Sequence, residues 1–240
     1  LDYLFIVLIF IAGIILFTVR AYQKRNRRPV MDQVGMAELG FKPTAYPDAG
    51  LKRSVNQLHT KYPNQMLAMH DVFQQDYPEF QIFLFDLLDQ ADKQPAILAQ
   101  DMLVVFSAAF NFPRITILTR PNVSGALGSM VGKFLNRLAN WDNNVQGLQQ
   151  LTLENQADIH QRYMIFAVDA EAARDFLTQN VLEHLTRLDN HYAIDLGGDI
   201  FSLIPVMPNT AISRKERIQA YVSDAQTLVP VFSQKISTPG

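Results

Sequence analysis

The chain has 240 residues, no cysteine, 48% hydrophobic and 18% charged residues, and a formal net charge of −2. That balance belongs to a globular chain with an apolar segment added and excludes an intrinsically disordered one, while the missing cysteines exclude disulfides, thiolate metal sites and cysteine nucleophiles. Without Asp2 and the five basic residues that follow the first apolar run, 16 basic residues face 22 acidic ones, and a body of about −6 is a poor partner for nucleic acid, whose affinity comes mostly from neutralised phosphates.

Residues 4–19, LFIVLIFIAGIILFTV, carry no charge and are followed at once by RAYQKRNRR. At about 1.5 Å of rise per residue the run covers roughly 25 Å, slightly short of the ~30 Å hydrocarbon core, so Tyr3, Arg20 and Tyr22 finish the span from the two interfaces. The reading is one membrane-spanning helix, with residues 1–22 as the anchor. Arg20, Lys24, Arg25, Arg27 and Arg28 all follow the run closely, whereas its N-terminal side carries only Asp2. Basic residues near a span stay on the cytoplasmic side, which places the N-terminus outside and the body in the cytoplasm of a bacterial inner membrane. A cleaved secretory signal needs a basic n-region, a shorter apolar core and a small-x-small site, and the sequence has none of them. Leu1 is not an initiator methionine, so this orientation holds for a chain with no further span upstream. Residues 23–34 are a basic juxtamembrane linker broken by Pro29, attracted to anionic headgroups by roughly 1 kcal/mol per basic residue near the surface. Topology marking explains them; recruitment of a particular anionic lipid is the sharper alternative.

The body occupies residues 35–240. Residues 36–46, interrupted by Pro43, suggest a short first strand. Asp48 can cap a helix in which Leu51, Val55, Leu58 and Tyr62 recur with helical spacing up to Pro63. Residues 66–71 and 80–88 read as strands, and FQIFLFDLL, apolar on both faces, suits a central position. Two more strands, 97–106 and 114–119, extend the series into a mostly antiparallel meander. The segment VSGALGSMVGKFLNRLANW has Leu127, Met130, Val131, Phe134, Leu135 and Leu138 on one stripe, with Lys133 and Arg137 off it. It is either a core-facing helix or one lying on the membrane surface through Lys133, Phe134 and Arg137, with Trp141 at headgroup level. Residues 142–159 read as a polar loop with one short strand near Leu151 and Leu153.

Residues 163–168 form a strand, and Asp169 caps one helix whose buried stripe is Phe176, Leu177, Val181, Leu185 and Leu188. Gly197-Gly198 turns YAIDL into DIFSLIPV as a hairpin. Ser213-x-x-Glu216 is a capping box that opens a last helix with Ile218, Val222, Ala225 and Val229 inward, limited by Pro230. The order of elements gives an α+β domain, one mostly antiparallel sheet with helices packed on it.

No catalytic, cofactor or metal motif passes inspection. GALGSMVGKF has Leu127 where a phosphate loop needs glycine and Phe134 where it needs a hydroxyl for magnesium. His184 and His191, with Asp189, Asp195 and Asp199, make a loose metal-like cluster, but its members are spread over a helix end, a strand and a hairpin tip. Glu171 and Asp175 share a helix face and read as solvated surface. Neither a G-x-S-x-G elbow nor an H-E-x-x-H motif occurs.

At FPRITILTRP, residues 112–121, and YMIFAVDAEAARDFL, residues 163–177, the chain resembles a loose group of uncharacterised bacterial single-pass membrane-anchored proteins with a cytoplasmic α+β domain. In that group a strand ending in proline precedes a variable helix, a strand with tyrosine and a helix carrying Arg-x-Phe/Leu. The group often has leucine before the first proline, where this chain has Phe112. The resemblance covers roughly residues 80–206 and implies an architecture; it has no catalytic residues to transfer. The expectation is a non-enzymatic accessory or scaffold protein, a subunit of a larger inner-membrane complex whose partners are the lipid bilayer and another membrane protein. The alternatives are a module that responds to lipid headgroups and an enzyme whose site the sequence does not reveal.

Overall fold

The computed structural model describes residues 31–60, 65–90, 96–120, 147–153, 156–188, 192–206 and 211–233. The chain divides into two units, Leu1–Leu39 and Gly40–Gly240. In the first, α1 (Met31–Glu38) is a short helix after which the Leu39 amide donates to the Met36 carbonyl at 3.1 Å. Of the strand expected over residues 36–46, Met36–Glu38 belong to this helix and only β1 (Lys42–Pro43), in the second unit, is strand. Pro43 has no amide hydrogen for a ladder, which confines β1 to a sheet edge.

The second unit is α+β, built on an antiparallel sheet. Its remaining strands are β2 (Leu67–Asp76), β3 (Gln81–Asp89), β4 (Ala96–Phe106), β5 (Phe112–Thr119), β6 (Gln149–Leu151), β7 (Tyr163–Ala167), β8 (Tyr192–Gly198) and β9 (Ile200–Pro205). They lie in the order β1-β2-β3-β4-β9-β8-β5-β7-β6, each neighbouring pair antiparallel. The expected meander therefore stops at β4. Residues 102–105 are buried, so their backbone N–H and C=O groups need partners along both edges; β3 supplies one edge and β9 of the β8–β9 hairpin the other, which separates β4 from β5. Chain order alone does not reveal such an insertion.

The helices are α2 (Ala49–His59), α3 (Ala157–Arg162), α4 (Ala170–Phe176), α5 (Gln179–Thr186) and α6 (Arg214–Ser233). Asp48 caps α2, its Oδ1 accepting from the Gly50 and Leu51 amides at 2.6 and 3.3 Å. The stripe Leu51, Val55 and Leu58 packs on Phe83, Phe85, Leu87, Met102, Val104 and Ile200, on one face of the sheet. The alternating residues point the other way. There Phe201 and Phe112 meet Phe176 of α4 and Phe232 of α6, with ring centroids 5.1 to 6.0 Å apart and mostly edge-to-face, the arrangement aromatic quadrupoles favour. Residues 82–87 of β3 are all buried, as a central strand should be.

Three local expectations change. The helix after Asp169 is two helices: Thr178 takes extended backbone as the N-cap of α5, and the bend brings Leu182, which a straight helix would hold off the stripe, into the core beside Val181 and Leu185. α3 lies in a stretch read as loop, because among its described side chains Ile159 is the one buried apolar residue and gives no periodic signal. Pro230 does not end α6, which continues to Ser233; the proline removes one rung, while buried Val231 and Phe232 hold the last turn. The capping box stands as expected: Glu216 Oε2 accepts from the Ser213 amide at 2.8 Å and Ser213 Oγ from the Glu216 amide at 3.2 Å.

Candidate functional site

The β8–β9 hairpin turns at Gly198-Asp199, one residue later than the glycine pair suggests, since Gly197 still pairs with Ile200 and Gly198 has φ +57°. Gly197 serves a different end. A Cβ there would lie 3.0 Å from Leu58 Cδ1 and 3.4 Å from Arg114 Cδ, so its bare backbone lets the C-terminus of α2 and the Arg114 side chain close over the sheet.

Beneath that closure lies a row of polar side chains. Thr116 on β5, Asp195 on β8 and Ser202 on β9 are direct cross-strand partners and all three are buried. Thr116 Oγ1 donates to Asp195 Oδ1 at 2.5 Å. Arg114, two residues before Thr116, lies 3.4 Å from the same oxygen through Nη1, and its Nη2 donates to the Leu58 carbonyl at 3.0 Å. Arg114 thus neutralises a buried carboxylate and satisfies a terminal carbonyl of α2 together. His59, the last residue of α2, places Nδ1 3.7 Å from Asp195 Oδ2 and Nε2 3.4 Å from Ser202 Oγ.

Asp195, His59 and Ser202 follow the order of a carboxylate–imidazole–hydroxyl relay. Both contacts are longer than the ~2.6–3.2 Å of working proton transfer, and Ser202 has no exposed surface, so a substrate carbonyl cannot approach Oγ in this arrangement. What the cluster does in this form is mechanical: it locks α2 to β5, β8 and β9 through charge and directed hydrogen bonds.

A second buried ionic group sits where register slips on both sides of β3, between His70 and Phe73 on β2 and between Phe85 and Leu87 against β4. Asp71 and Asp101, at these bulges, have φ +52° and +51°, a region where aspartate is tolerated better than most side chains. Asp86 Oδ1 accepts from the Asp101 amide at 3.0 Å, and Asp101 Oδ1 accepts from Arg214 Nε and Nη2 at 2.9 and 2.7 Å. Arg214 opens α6, so this bulge fixes where that helix starts on the opposite face.

The third feature is open. A cleft of about 620 Å³ lies beside the bend joining α4 to α5, lined among the described residues by Leu153, Gln156, Arg174, Leu177, Gln179 and Leu182. Gln156 Nε2 donates to Gln179 Oε1 at 2.8 Å, and Gln179 Nε2 to Glu183 Oε1 at 3.0 Å. Nearby, Tyr163 Oη donates to the Leu185 carbonyl at 2.5 Å, and Arg162 donates to the Thr186 and Leu188 carbonyls at the end of α5. Burial pushes the Tyr163 phenol above its ordinary range, with the Arg162 charge opposing.

The loose metal-like cluster comes apart. His184 Nδ1 lies 2.8 Å from the Asn180 carbonyl on α5, Asp195 belongs to the polar row, and Asp199 is at the hairpin tip, where its carbonyl accepts from the Ser107 amide at 3.0 Å. Asp189 and His191 lie outside the described residues. Among the described residues there is no group of three or more His, Asp or Glu placed to hold a metal. The anchor and interface residues Tyr3, Arg20, Tyr22, Lys24, Arg25, Arg27 and Arg28 lie outside the described residues, as do Lys133, Phe134, Arg137 and Trp141 of the membrane-surface helix. Among the described residues no helix is long and apolar enough to cross a membrane. The polar row was not legible because its members are far apart in the chain, and Thr116 and Ser202 stand in otherwise apolar strands.

No family model and no curated protein matches the chain. Among solved structures it is similar to the crystal structure of the mycobacterial trehalose monomycolate transport factor A, TtfA, at 10% sequence identity, covering 89% of this chain and 100% of that one with a TM-score of 0.49. A likeness of that size carries no argument about what this chain binds or does.

Proposed function

We propose that the chain is a membrane-tethered accessory protein: a non-enzymatic α+β body held at the cytoplasmic face of a bacterial inner membrane as a subunit of a larger membrane complex. The observation that carries the reading is the uncharged run over residues 4–19 followed at once by Arg20, Lys24, Arg25, Arg27 and Arg28. An apolar helix of that length fixes the chain in the bilayer, and the basic cluster keeps the following body on the inner side. The charge of the body agrees with this role, since a net-acidic domain beside anionic headgroups is held off the lipid and left available to protein neighbours.

The experiment is protease access in spheroplasts carrying the full chain with a C-terminal tag. The tag is expected to sediment with membranes, resist alkaline carbonate, and survive external protease until the membrane is opened with detergent. Digestion of the body in intact spheroplasts would overturn the orientation, and release by carbonate would overturn the anchor.

A further inference from the structure

The cleft beside the α4–α5 bend joins three chemistries, an apolar wall, a cation and neutral amides. Its lining has three leucines, Leu153, Leu177 and Leu182, brought together by three separate elements. Arg174 lines it as well, exposed, and makes no ion pair with another described residue. Gln156 and Gln179 complete the lining; each amide nitrogen spends one hydrogen on the chain Gln156→Gln179→Glu183 and carries a second. No carboxylate is among the described lining residues, and Glu183, at the end of that chain, faces Arg187 at 3.9 Å. The hollow therefore offers one planar cation, two neutral amide groups and an apolar wall, within the ~300–1,000 Å³ range of small-molecule sites.

We infer that this cleft binds the anionic head and first methylenes of a single-chain amphiphile bearing a carboxylate or a phosphate monoester. A guanidinium matches the two oxygens of such a head by paired hydrogen bonds, which a lone ammonium does not. The amides stand as neutral donors beside it, and the leucines take the adjoining methylenes out of water. A free inorganic anion would leave the leucines unused, and a neutral lipid would leave the guanidinium unmatched. The sequence motif Arg-x-Phe/Leu sets up this division of labour: Phe176 enters the aromatic core, Leu177 lines the cleft, and Arg174, at the end of α4, reaches its opening. The site stands independently of the membrane tether.

The test uses the full chain in phosphatidylcholine nanodiscs with a diazirine analogue of decanoic acid, its labelled peptides mapped by mass spectrometry. Labelling is expected to concentrate within residues 153–182 and to fall at least about fivefold in Arg174→Gln, the size of one lost charge-assisted contact. Gln179→Glu, which adds a negative charge at an exposed position, is expected to lower it as well, while Arg53→Gln on exposed α2 surface leaves it unchanged. The methyl ester of the probe is expected to label weakly, and unlabelled decanoic acid or decyl phosphate to compete. Labelling spread over the body, or insensitive to both cleft variants, would overturn the proposal. Displacement by inorganic phosphate as complete as by decyl phosphate would also overturn it, because the apolar wall would then contribute nothing.

Discussion

The two faces of the sheet are built from the same strands, and each joins apolar packing to a buried ion pair in different proportion. On one, α2 is fastened by Asp195, Arg114, Thr116 and His59, groups that hold α2 in one register. On the other, one residue along each strand, Ile117, Ile194 and Leu203 are buried, and α4 and α6 are held by the cluster of Phe110, Phe112, Phe176, Phe201 and Phe232. Area buried is tolerant of small shifts, whereas a buried ion pair is not. The lesson is that apolar packing supplies adhesion on both faces, while a buried ion pair, Arg114–Asp195 at α2 and Arg214–Asp101 at α6, supplies position.

That contrast can be broken at either side. Phe201→Ala removes a ring that meets three other rings at tilted or edge-on angles and should cost about 4 kcal/mol in denaturant unfolding, with a cavity adding to the lost transfer energy. Arg114→Met should cost about 3 kcal/mol by leaving the buried Asp195 charge without the guanidinium that offsets it, and adding Asp195→Leu should restore much of the loss. If the double variant were as unstable as the sum of the two single ones, the pair would not act as a unit. Ser202→Ala should change stability by no more than about 1 kcal/mol, since among the described residues its side-chain hydrogen bond is the long 3.4 Å approach to His59.

A gentler probe is pH. Because burial raises the Tyr163 phenol above an ordinary value of 10.0, the folded state prefers the neutral form. Its contribution is whole below about pH 10, where the unfolded tyrosine begins to ionise, and is lost as pH rises from there through the raised folded value. Tyr163→Phe should flatten the alkaline fall in melting temperature. Part of the slope should remain, because Tyr221 is likewise raised, chiefly by burial.

Local signals were legible in the sequence where one residue type decides the geometry. Asp48 and Asp169 cap the helices they precede, Ser213 and Glu216 form their box, and the doubly apolar β3 is central. What depends on pairing was not legible. Nothing in residues 192–205 announces that they insert between β4 and β5, because hydrophobic alternation fixes which face a residue takes and leaves the neighbour open. The same blindness hid the polar row: His59 and Ser202 meet only after the hairpin takes that place. The cleft escaped because its bend needs Thr178 to cap rather than continue a helix, and threonine does both. Arg174 was visible in a motif, but its role depends on Gln156 and Leu153 from another element.

The most direct measurement concerns the accessory role itself. The full chain, tagged at its C-terminus and extracted gently from native membranes, would be sized on a native gel and its stoichiometry with co-purifying membrane proteins counted. The expected result is a particle larger than the chain, containing a second membrane protein in fixed ratio that is lost when residues 1–30 are removed. A chain that leaves native membranes only as a free monomer would contradict the accessory role.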